Sequence, residues 1–482
     1  MTLAQAVNIF SPKTRWLLLV GLETVWSLLC VILPYYFVLS LLAFFVILLL
    51  ILIKFKWGVY FLAFLVPIVS NYIGFSTEVS YIFKSGFKFF NYCDSVPFFM
   101  LISLPTIFSL ALNRIARLRN YFARSPLNIL FLILLCWLFL LLLYSPNISY
   151  SIVVFFNFAI NILLFYLMVY SIDEESFHRK LIWCWIFTGL IIASIAFASC
   201  YFVFEYVHKI DLWGGVSFIS FIETHIVGRA QGLGHPNETS LLLNLFICIT
   251  MGMMLCEKNK IKKGICGTIL LFLIFANFLT MSKSGMLAFL IMIHFLLVSI
   301  SALRMHFFRN LVLFNTVWII LFCLGIIFIG DTKTPRLIAG GSSSELGLDL
   351  RLKMWKEGVS NLINNTAGIG LGPGGFRYYT KTHMPYPHSL YVSILCDFGF
   401  VGLLLFLLAI LVMAYNYFKM LRFQETYLQI MFLCCCGGLL ALGVHGLVDS
   451  TYLASYIWFF LGLSTATFHL AQKELDYIKK GN

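Results

Sequence analysis

The chain has 482 residues, of which 61% are hydrophobic and 11% are charged. Charged residues make up about a quarter of soluble globular proteins, so this composition excludes that class and predicts an integral membrane protein. Most of the 33 lysines and arginines lie in one set of alternate loops. We therefore interpret the net charge of +13 as a topology signal and not as a surface for nucleic acid.

Apolar runs recur along the whole chain, and many approach the roughly 20 residues that a helix needs to cross a bilayer. Backbone polar groups in lipid must be bonded internally, so these runs are expected to be helices. The sequence predicts an all-α polytopic membrane protein with about 14 transmembrane helices (12–14), forming a single integral membrane domain over residues 1–482. The predicted spans are 16–34, 36–53, 58–75, 97–113, 127–145, 151–171, 181–206, 238–256, 264–281, 284–302, 311–330, 389–417, 427–446 and 451–471.

The long connection at 331–388 is predicted to lie on the outer side, because the loops that are rich in lysine and arginine share the cytoplasmic side with both termini. Apolar residues at near-helical spacing predict an amphipathic helix within it, with N-cap candidates at Ser342–Ser344 and an end at Asn364–Asn365. The expected apolar face is Leu348, Leu352, Trp355, Val359 and Leu362.

A glycine-rich stretch, 368–376, follows this helix. Two interpretations remain open: a compact turn that returns the chain to the membrane, or a backbone nest that contacts an anion. The stretch is not a Walker loop, because no Gly-Lys-Ser/Thr ends it.

Cationic residues and histidines gather in the outer loops, whereas few charged residues fall inside the spans. Arginine and lysine suit phosphate, and a neutral imidazole can accept a proton from a hydroxyl. No ATP is available outside the cytoplasm, so a substrate there must carry its own energy, as a lipid-linked diphosphate sugar does. The residues are Arg229, His235, Asn237, Lys283, Arg351, Arg377, His383 and His388.

Each candidate also has a purely structural interpretation. Arg229 and Arg351 would then face solvent, Lys283 would extend along lipid to reach water, and His388 would only precede a helix. The dipole of that helix disfavours imidazolium, so a lowered pKa is expected for His388. His445, near the outer end of its span, is interpreted as a core histidine with satisfied hydrogen bonds.

Two motifs resemble the bacterial O-antigen ligase and O-antigen polymerase superfamily, a group of membrane glycosyltransferases related to the GT-C class. The first is a histidine followed by Ser, Asn or Gln, nine residues and Gly-x-x-Gly, which His388-Ser389 and Gly399 to Gly402 match. The second is Arg-x-x-x-Leu, which Arg229 and Leu233 match. The resemblance covers residues 190–410.

The resemblance implies an inverting transfer that needs no metal and no cofactor, from an undecaprenyl-diphosphate-linked glycan to an acceptor sugar hydroxyl. The acceptor would be lipid A-core or another lipid-linked glycan, on the periplasmic side of the inner membrane. By motif position, His388 would be the catalytic base. Donor diphosphate binding would fall to Arg229, Lys283 and Arg351, with support from His235, Asn237, Arg377 and Gly374.

Lys283 departs from the pattern, because the family usually has arginine there and lysine loses the bidentate geometry. Asp397 lies nine residues after His388, about 180° around a helix, and is not expected to orient it. Gly399 and Gly402 are expected to let another helix pack closely. The sequence favours the ligase reaction narrowly over repeat-unit polymerisation in lipopolysaccharide assembly. A flippase for lipid-linked oligosaccharide is the alternative outside enzymes.

Overall fold

Every regular element in the described part of the chain is a helix. The computed structural model describes residues 55–69, 106, 126–206, 236–303, 335–379, 386–421, 426–449 and 453–481. The predicted spans 16–34, 36–53 and 311–330 lie outside these ranges, as do Arg229, Leu233, His235 and His383. Of the predicted span 97–113, only Thr106 is described.

Twelve α-helices are numbered here in chain order among the described residues. They are α1 (Phe55–Val69), α2 (Pro126–Leu141), α3 (Ile148–Ser171), α4 (Glu175–Tyr206), α5 (Pro236–Cys256), α6 (Lys260–Leu279), α7 (Lys283–Leu303), α8 (Pro335–Thr366), α9 (Phe376–Tyr379), α10 (Leu390–Met420), α11 (Tyr427–His445) and α12 (Ser455–Gly481). A short 3-10 turn, Leu142–Tyr144, extends α2.

Eight of these helices are long and apolar enough to cross a membrane, namely α2, α3, α4, α5, α6, α7, α10 and α11. Each coincides with a predicted span, which confirms a helical, multi-pass membrane protein. Helices α1 and α12 coincide with the predicted spans 58–75 and 451–471 but are not among the eight. A total of 14 spans stays a prediction.

The core of the bundle forms around α5 and α11, the two most deeply buried of the eight. Helix α5 packs against α4, α6, α7 and α11. Small residues allow the close approach that helices in lipid require: a Cβ at Gly252 would lie 2.8 Å from the sulfur of Met431, and one at Gly438 would lie 2.8 Å from the sulfur of Cys248. The Cys434–Cys436 run is buried in this packing.

Helix α10 is broken at Gly399, which has φ 71° and ψ −171°. The glycine-rich loop 368–376 lies against the break and bonds to its backbone. Leu371 N–H donates to Cys396 O at 2.9 Å, and Phe400 N–H donates to Gly368 O at 3.0 Å. A Cβ at Gly399 would lie 1.9 Å from Ile369 O. The predicted helix-on-helix role of Gly399 is therefore corrected: this glycine admits the loop backbone.

The amphipathic helix predicted in the connection 331–388 is present as α8, but two of its details were wrong. It begins at Pro335, so Ser342–Ser344 lie within it and do not cap it. Its buried face contains Met354 and Leu362, whereas Leu352 is 49% exposed. The face is rotated because α8 packs on the glycine-rich loop and the first part of α10, in a small cluster with Leu371, Phe376 and Cys396.

Replacing Gly399 by alanine is expected to destabilise the protein, because the new Cβ meets loop backbone and its dihedral angles belong almost only to glycine. Such strain costs about 1–3 kcal/mol, and the clash adds to it. The apparent unfolding temperature in detergent, followed by size-exclusion chromatography after heating, should fall by several degrees. Gly264→Ala is the matched control, since a Cβ there meets nothing within 4 Å on α6. Equal unfolding temperatures for the two variants would contradict the conclusion that Gly399 is needed to admit the loop backbone.

Candidate functional site

The candidate site lies where the ends of several helices meet at one end of the bundle. The start of α10 is bonded to the end of α11, since Leu390 N–H donates to Gly446 O at 2.7 Å. Helix α8 is bonded to the residue before His388, since Trp355 Nε1–H donates to Pro387 O at 2.7 Å. Segments far apart in sequence are thereby fixed around His388.

His388 stands immediately before α10, whose N-cap is Ser389. Its backbone has φ 52°, a left-handed conformation that is uncommon for residues other than glycine. Its ring packs edge-to-face on Tyr386, with the centroids 5.0 Å apart. Because Pro387 O on one side of His388 and Leu390 N–H on the other are held by other helices, the surroundings can maintain this strained backbone and aim the imidazole.

The pKa of His388 is lowered from its ordinary value of 6.5, mainly because burial disfavours the charged imidazolium. Two charges then act in opposite directions. Asp449, beyond the end of α11, raises the pKa, and Arg351 on α8 lowers it. The lowered pKa confirms the direction expected from the sequence, but its largest cause is burial.

Two carboxylates approach the site, and neither was assigned a role from the sequence. Burial raises the pKa of Tyr386, and the charges of Glu238 and Asp449 raise it further. Glu238 is in the first turn of α5, where an acid can be explained by the helix dipole alone. Asp449 lies a few residues past a span end. Their proximity to the His388 segment depends on tertiary contacts that no local pattern reveals.

His445 is fully buried, but it is not the satisfied core histidine that was expected. Its Nε2 lies 3.5 Å from Asp449 Oδ2. Neither ring nitrogen meets a hydrogen-bond partner among the described residues. Asp449 therefore faces His445 at short range while acting electrostatically on His388.

Lys283 is the first residue of α7 and is exposed. The turn that precedes it is tied to α5, because Ser282 Oγ–H donates to Asn237 Oδ1 at 2.9 Å. Asn244 Nδ2–H donates to Gly285 O at 2.9 Å and secures the other side of the turn. The predicted supporting residue Asn237 thus contacts the neighbour of Lys283, while Glu238 beside it acts on Tyr386.

Arg351 is one helical turn before Trp355 on α8 and is partly buried, so these two side chains share a face of the helix. Arg377 is exposed, and its guanidinium lies 4.6 Å from the centre of the Tyr150 ring. Gly374 lets the loop approach the same ring, because a Cβ there would lie 2.7 Å from Tyr150 Cε1. Arg351 is therefore associated with the His388 segment, and Arg377 with Tyr150.

The glycine-rich loop is a structural turn in this fold, and the anion-nest interpretation was wrong. Seven backbone N–H groups between residues 368 and 376 donate within the protein. Gly372 N–H bonds to Asp397 O at 3.1 Å, and Phe376 N–H bonds to Asp397 Oδ1 at 2.9 Å. An anion would have to displace these bonds. The Asp397 carboxylate holds the loop, which agrees with the expectation that it does not orient His388.

Removing either of the two charges that act on His388 should shift its pKa, and the two shifts should have opposite directions. Diethyl pyrocarbonate acylates neutral imidazole, so its rate at His388, followed by peptide mass spectrometry, reports the pKa. Reactivity should persist below pH 6.5 and disappear as the pH falls through the lowered pKa. Arg351→Gln should move this loss to higher pH, and Asp449→Asn to lower pH.

Shifts of the same sign in the two variants would contradict the arrangement of Arg351 and Asp449 around His388.

Residues 268–407 match the family described as O-antigen ligase. The matched region contains Lys283, Arg351 and His388 and ends before Asp449. A search of curated proteins gave no match. Together with the helical membrane bundle, the match to residues 268–407 supports the assignment of this chain to the O-antigen ligase and polymerase family.

Proposed function

We propose that this protein transfers a glycan from undecaprenyl diphosphate to an acceptor sugar hydroxyl at the periplasmic face of the bacterial inner membrane. The favoured reaction is that of an O-antigen ligase, with lipid A-core as the acceptor in lipopolysaccharide assembly. The observation that carries the proposal is His388, a partly buried imidazole biased towards its neutral form beside Arg351, within the region that matches the family.

In the proposed reaction, the acceptor hydroxyl attacks the anomeric carbon of the donor from the side opposite the diphosphate. Neutral His388 accepts the hydroxyl proton as the new C–O bond forms. The bond between the anomeric carbon and the diphosphate oxygen breaks, so the configuration inverts. The electron pair leaves with undecaprenyl diphosphate, and the imidazolium later releases its proton to water.

Cationic side chains take the place that a metal ion has in other diphosphate chemistry. Arg351 and Lys283, with Arg229, would hold the departing diphosphate, so the proposal needs neither a metal ion nor a cofactor. Arg351 near His388 also keeps the base neutral before the reaction. Asp449 acts in the opposite sense and would stabilise the imidazolium after proton transfer.

Repeat-unit polymerisation is the same chemistry with a lipid-linked glycan as the acceptor, and it is the second candidate. A flippase would be expected to place ionisable groups along a path through the bundle. Among the described residues, Lys283, His388 and Asp449 instead occur at helix ends or in connections, and Arg351 is on α8, within the predicted connection 331–388. This distribution favours a transferase.

Removing the imidazole of His388 should abolish glycan transfer. His388→Asn is the sharpest variant, because asparagine tolerates the left-handed backbone while lacking the base. General-base catalysis contributes about 10²–10⁴-fold to rate, so release of undecaprenyl diphosphate by the purified protein should fall by that order. His294→Ala, at an exposed position on α7, is the control. Full transfer by a folded His388→Asn protein would exclude the catalytic assignment.

The lipopolysaccharide of a deletion strain separates the two acceptors. Bare core with accumulating lipid-linked chains indicates a ligase, whereas core carrying a single repeat unit indicates a polymerase. Unchanged lipopolysaccharide and unchanged capsule would count against both reactions.

Lys283→Ala should raise the KM for the donor by about 10–100-fold, because a charge-assisted contact to the diphosphate is lost. Lys283→Arg should keep the KM within about threefold of the parent value, since the positive charge remains. Lys260→Ala is the matched control, as Lys260 is likewise an exposed first residue of a helix, α6. If neither Lys283 substitution changes the KM, this side chain does not bind the donor and only extends along lipid to reach water.

A further inference from the structure

Three buried polar side chains join α5 to α6 close to Lys283, and together they are called the asparagine network here. Ser240 and Asn244 lie one turn apart on α5, and Asn277 lies near the end of α6. All three are almost completely buried. Ser240 Oγ–H donates to Asn277 Oδ1, and Asn277 Nδ2–H donates to Asn244 Oδ1 at 2.8 Å. Each side chain therefore has a partner on the neighbouring helix.

The network continues into the first turn of α7. Asn244 Nδ2–H donates to Gly285 O at 2.9 Å, so every bond from Ser240 to α7 runs in the same donor-to-acceptor direction. Gly285 lies two residues after Lys283, and a Cβ at Gly285 would collide with the Ser240 hydroxyl. Glycine at this position thus lets α7 begin in direct contact with α5.

The backbone of Asn277 reaches the other side of Lys283. Its carbonyl accepts from Thr280 Oγ1–H at 2.7 Å, and Thr280 Oγ1 accepts from Ser282 N–H at 3.3 Å. Ser282 is the residue immediately before Lys283. Asn277 is therefore linked to the residue before Lys283 through Thr280, and to the turn after Lys283 through Asn244.

The connection between α6 and α7 has a conformation that depends on such bonds. Met281 has φ 49°, a left-handed value that is uncommon for a residue other than glycine. Met281 is also 52% exposed, so burial of its side chain contributes little to holding this backbone. Strained backbone persists only where the surrounding structure determines it. The links from Asn277 to both sides of Lys283 provide that determination.

We propose that the asparagine network positions Lys283 for the donor diphosphate, with Asn277 as the main positioning residue. The inference rests on the proposed function, in which Lys283 binds that diphosphate. A lysine ammonium is a point charge on a flexible stem, so the place where its backbone is held determines which part of the site the charge reaches. The alternative is that these bonds only attach three helices to one another. The two roles predict different kinetics.

Leucine at position 277 has nearly the size of asparagine but neither a donor nor an acceptor. Asn277→Leu should raise the KM for an undecaprenyl-diphosphate-linked glycan by about three- to tenfold, the effect of losing a hydrogen-bonded constraint. The kcat should stay within about twofold, because donor binding and not the transfer step is affected. In a Lys283→Ala protein the same substitution should change the KM by less than about twofold, since the charge to be positioned is already absent.

Asn128→Leu is the matched control. Asn128 is a buried asparagine on α2, and its Nδ2–H donates to Tyr170 Oη on α3 at 3.0 Å. This substitution also removes a bond between helices, but it should leave the donor KM unchanged with either residue at position 283. If Asn277→Leu raises the KM by the same factor with lysine and with alanine at position 283, or does not raise it at all, the proposal is overturned.

Hydrogen exchange tests the positioning without turnover. The backbone amides of residues 282–287, in the first turns of α7, should exchange about tenfold faster in Asn277→Leu than in the parent protein, and at the parent rate in Asn128→Leu. Ser240→Ala removes only the first donor of the network and should give a smaller acceleration at the same amides, which keeps the test available if Asn277→Leu does not fold.

Parent-like exchange of residues 282–287 in the folded variants would show that the network does not hold this turn, and the proposal would fail. Faster exchange together with a donor KM that Lys283→Ala does not alter would instead count against the proposed function, because the turn would then be held for a residue that does not bind the donor.

Discussion

A broken helix in a membrane has to bond the backbone groups that the break sets free, and α10 meets this requirement through the glycine-rich loop. Lipid offers neither donors nor acceptors for a carbonyl left open at Gly399. The loop supplies N–H groups to Cys396 O and Asp397 O and accepts from Phe400 N–H. The break and the loop therefore form one unit, and neither would persist alone.

The arrangement of the site follows from this unit. The loop packs against α8 and thereby places Trp355, which bonds to Pro387 O. Pro387 immediately precedes His388, so the position of the imidazole depends on a sequence of contacts that begins at Gly399. Burial along this path lowers the pKa of His388, and the opposing charges of Arg351 and Asp449 then adjust it. His388 is therefore biased towards its neutral form mainly by burial, and the neighbouring charges have a smaller effect on its pKa.

Local sequence was sufficient for features that depend on local physics. The apolar runs predicted the described spans, and near-helical spacing predicted α8. Local sequence was insufficient where contacts with distant segments determine the structure. The face of α8 is set by Phe376 and Cys396, which no periodicity within α8 encodes. Gly399 was read as a packing residue because a Gly-x-x-Gly pattern does not distinguish a neighbouring helix from a neighbouring loop. The role of Glu238 escaped prediction for the same reason, since the residue that it acts on, Tyr386, comes from a distant segment.

The hydrogen bond between Leu390 and Gly446 joins two helix ends of opposite polarity. The N-terminus of α10 presents N–H groups with partial positive charge, and the C-terminus of α11 presents carbonyls with partial negative charge. Placed end to end, the two partial charges largely cancel at the junction. His388 and Asp449 flank a nearly neutral backbone, so side chains set the electrostatic potential at this junction of α10 and α11. Substitutions such as those at Arg351 and Asp449 can therefore tune it without changing the fold that carries it.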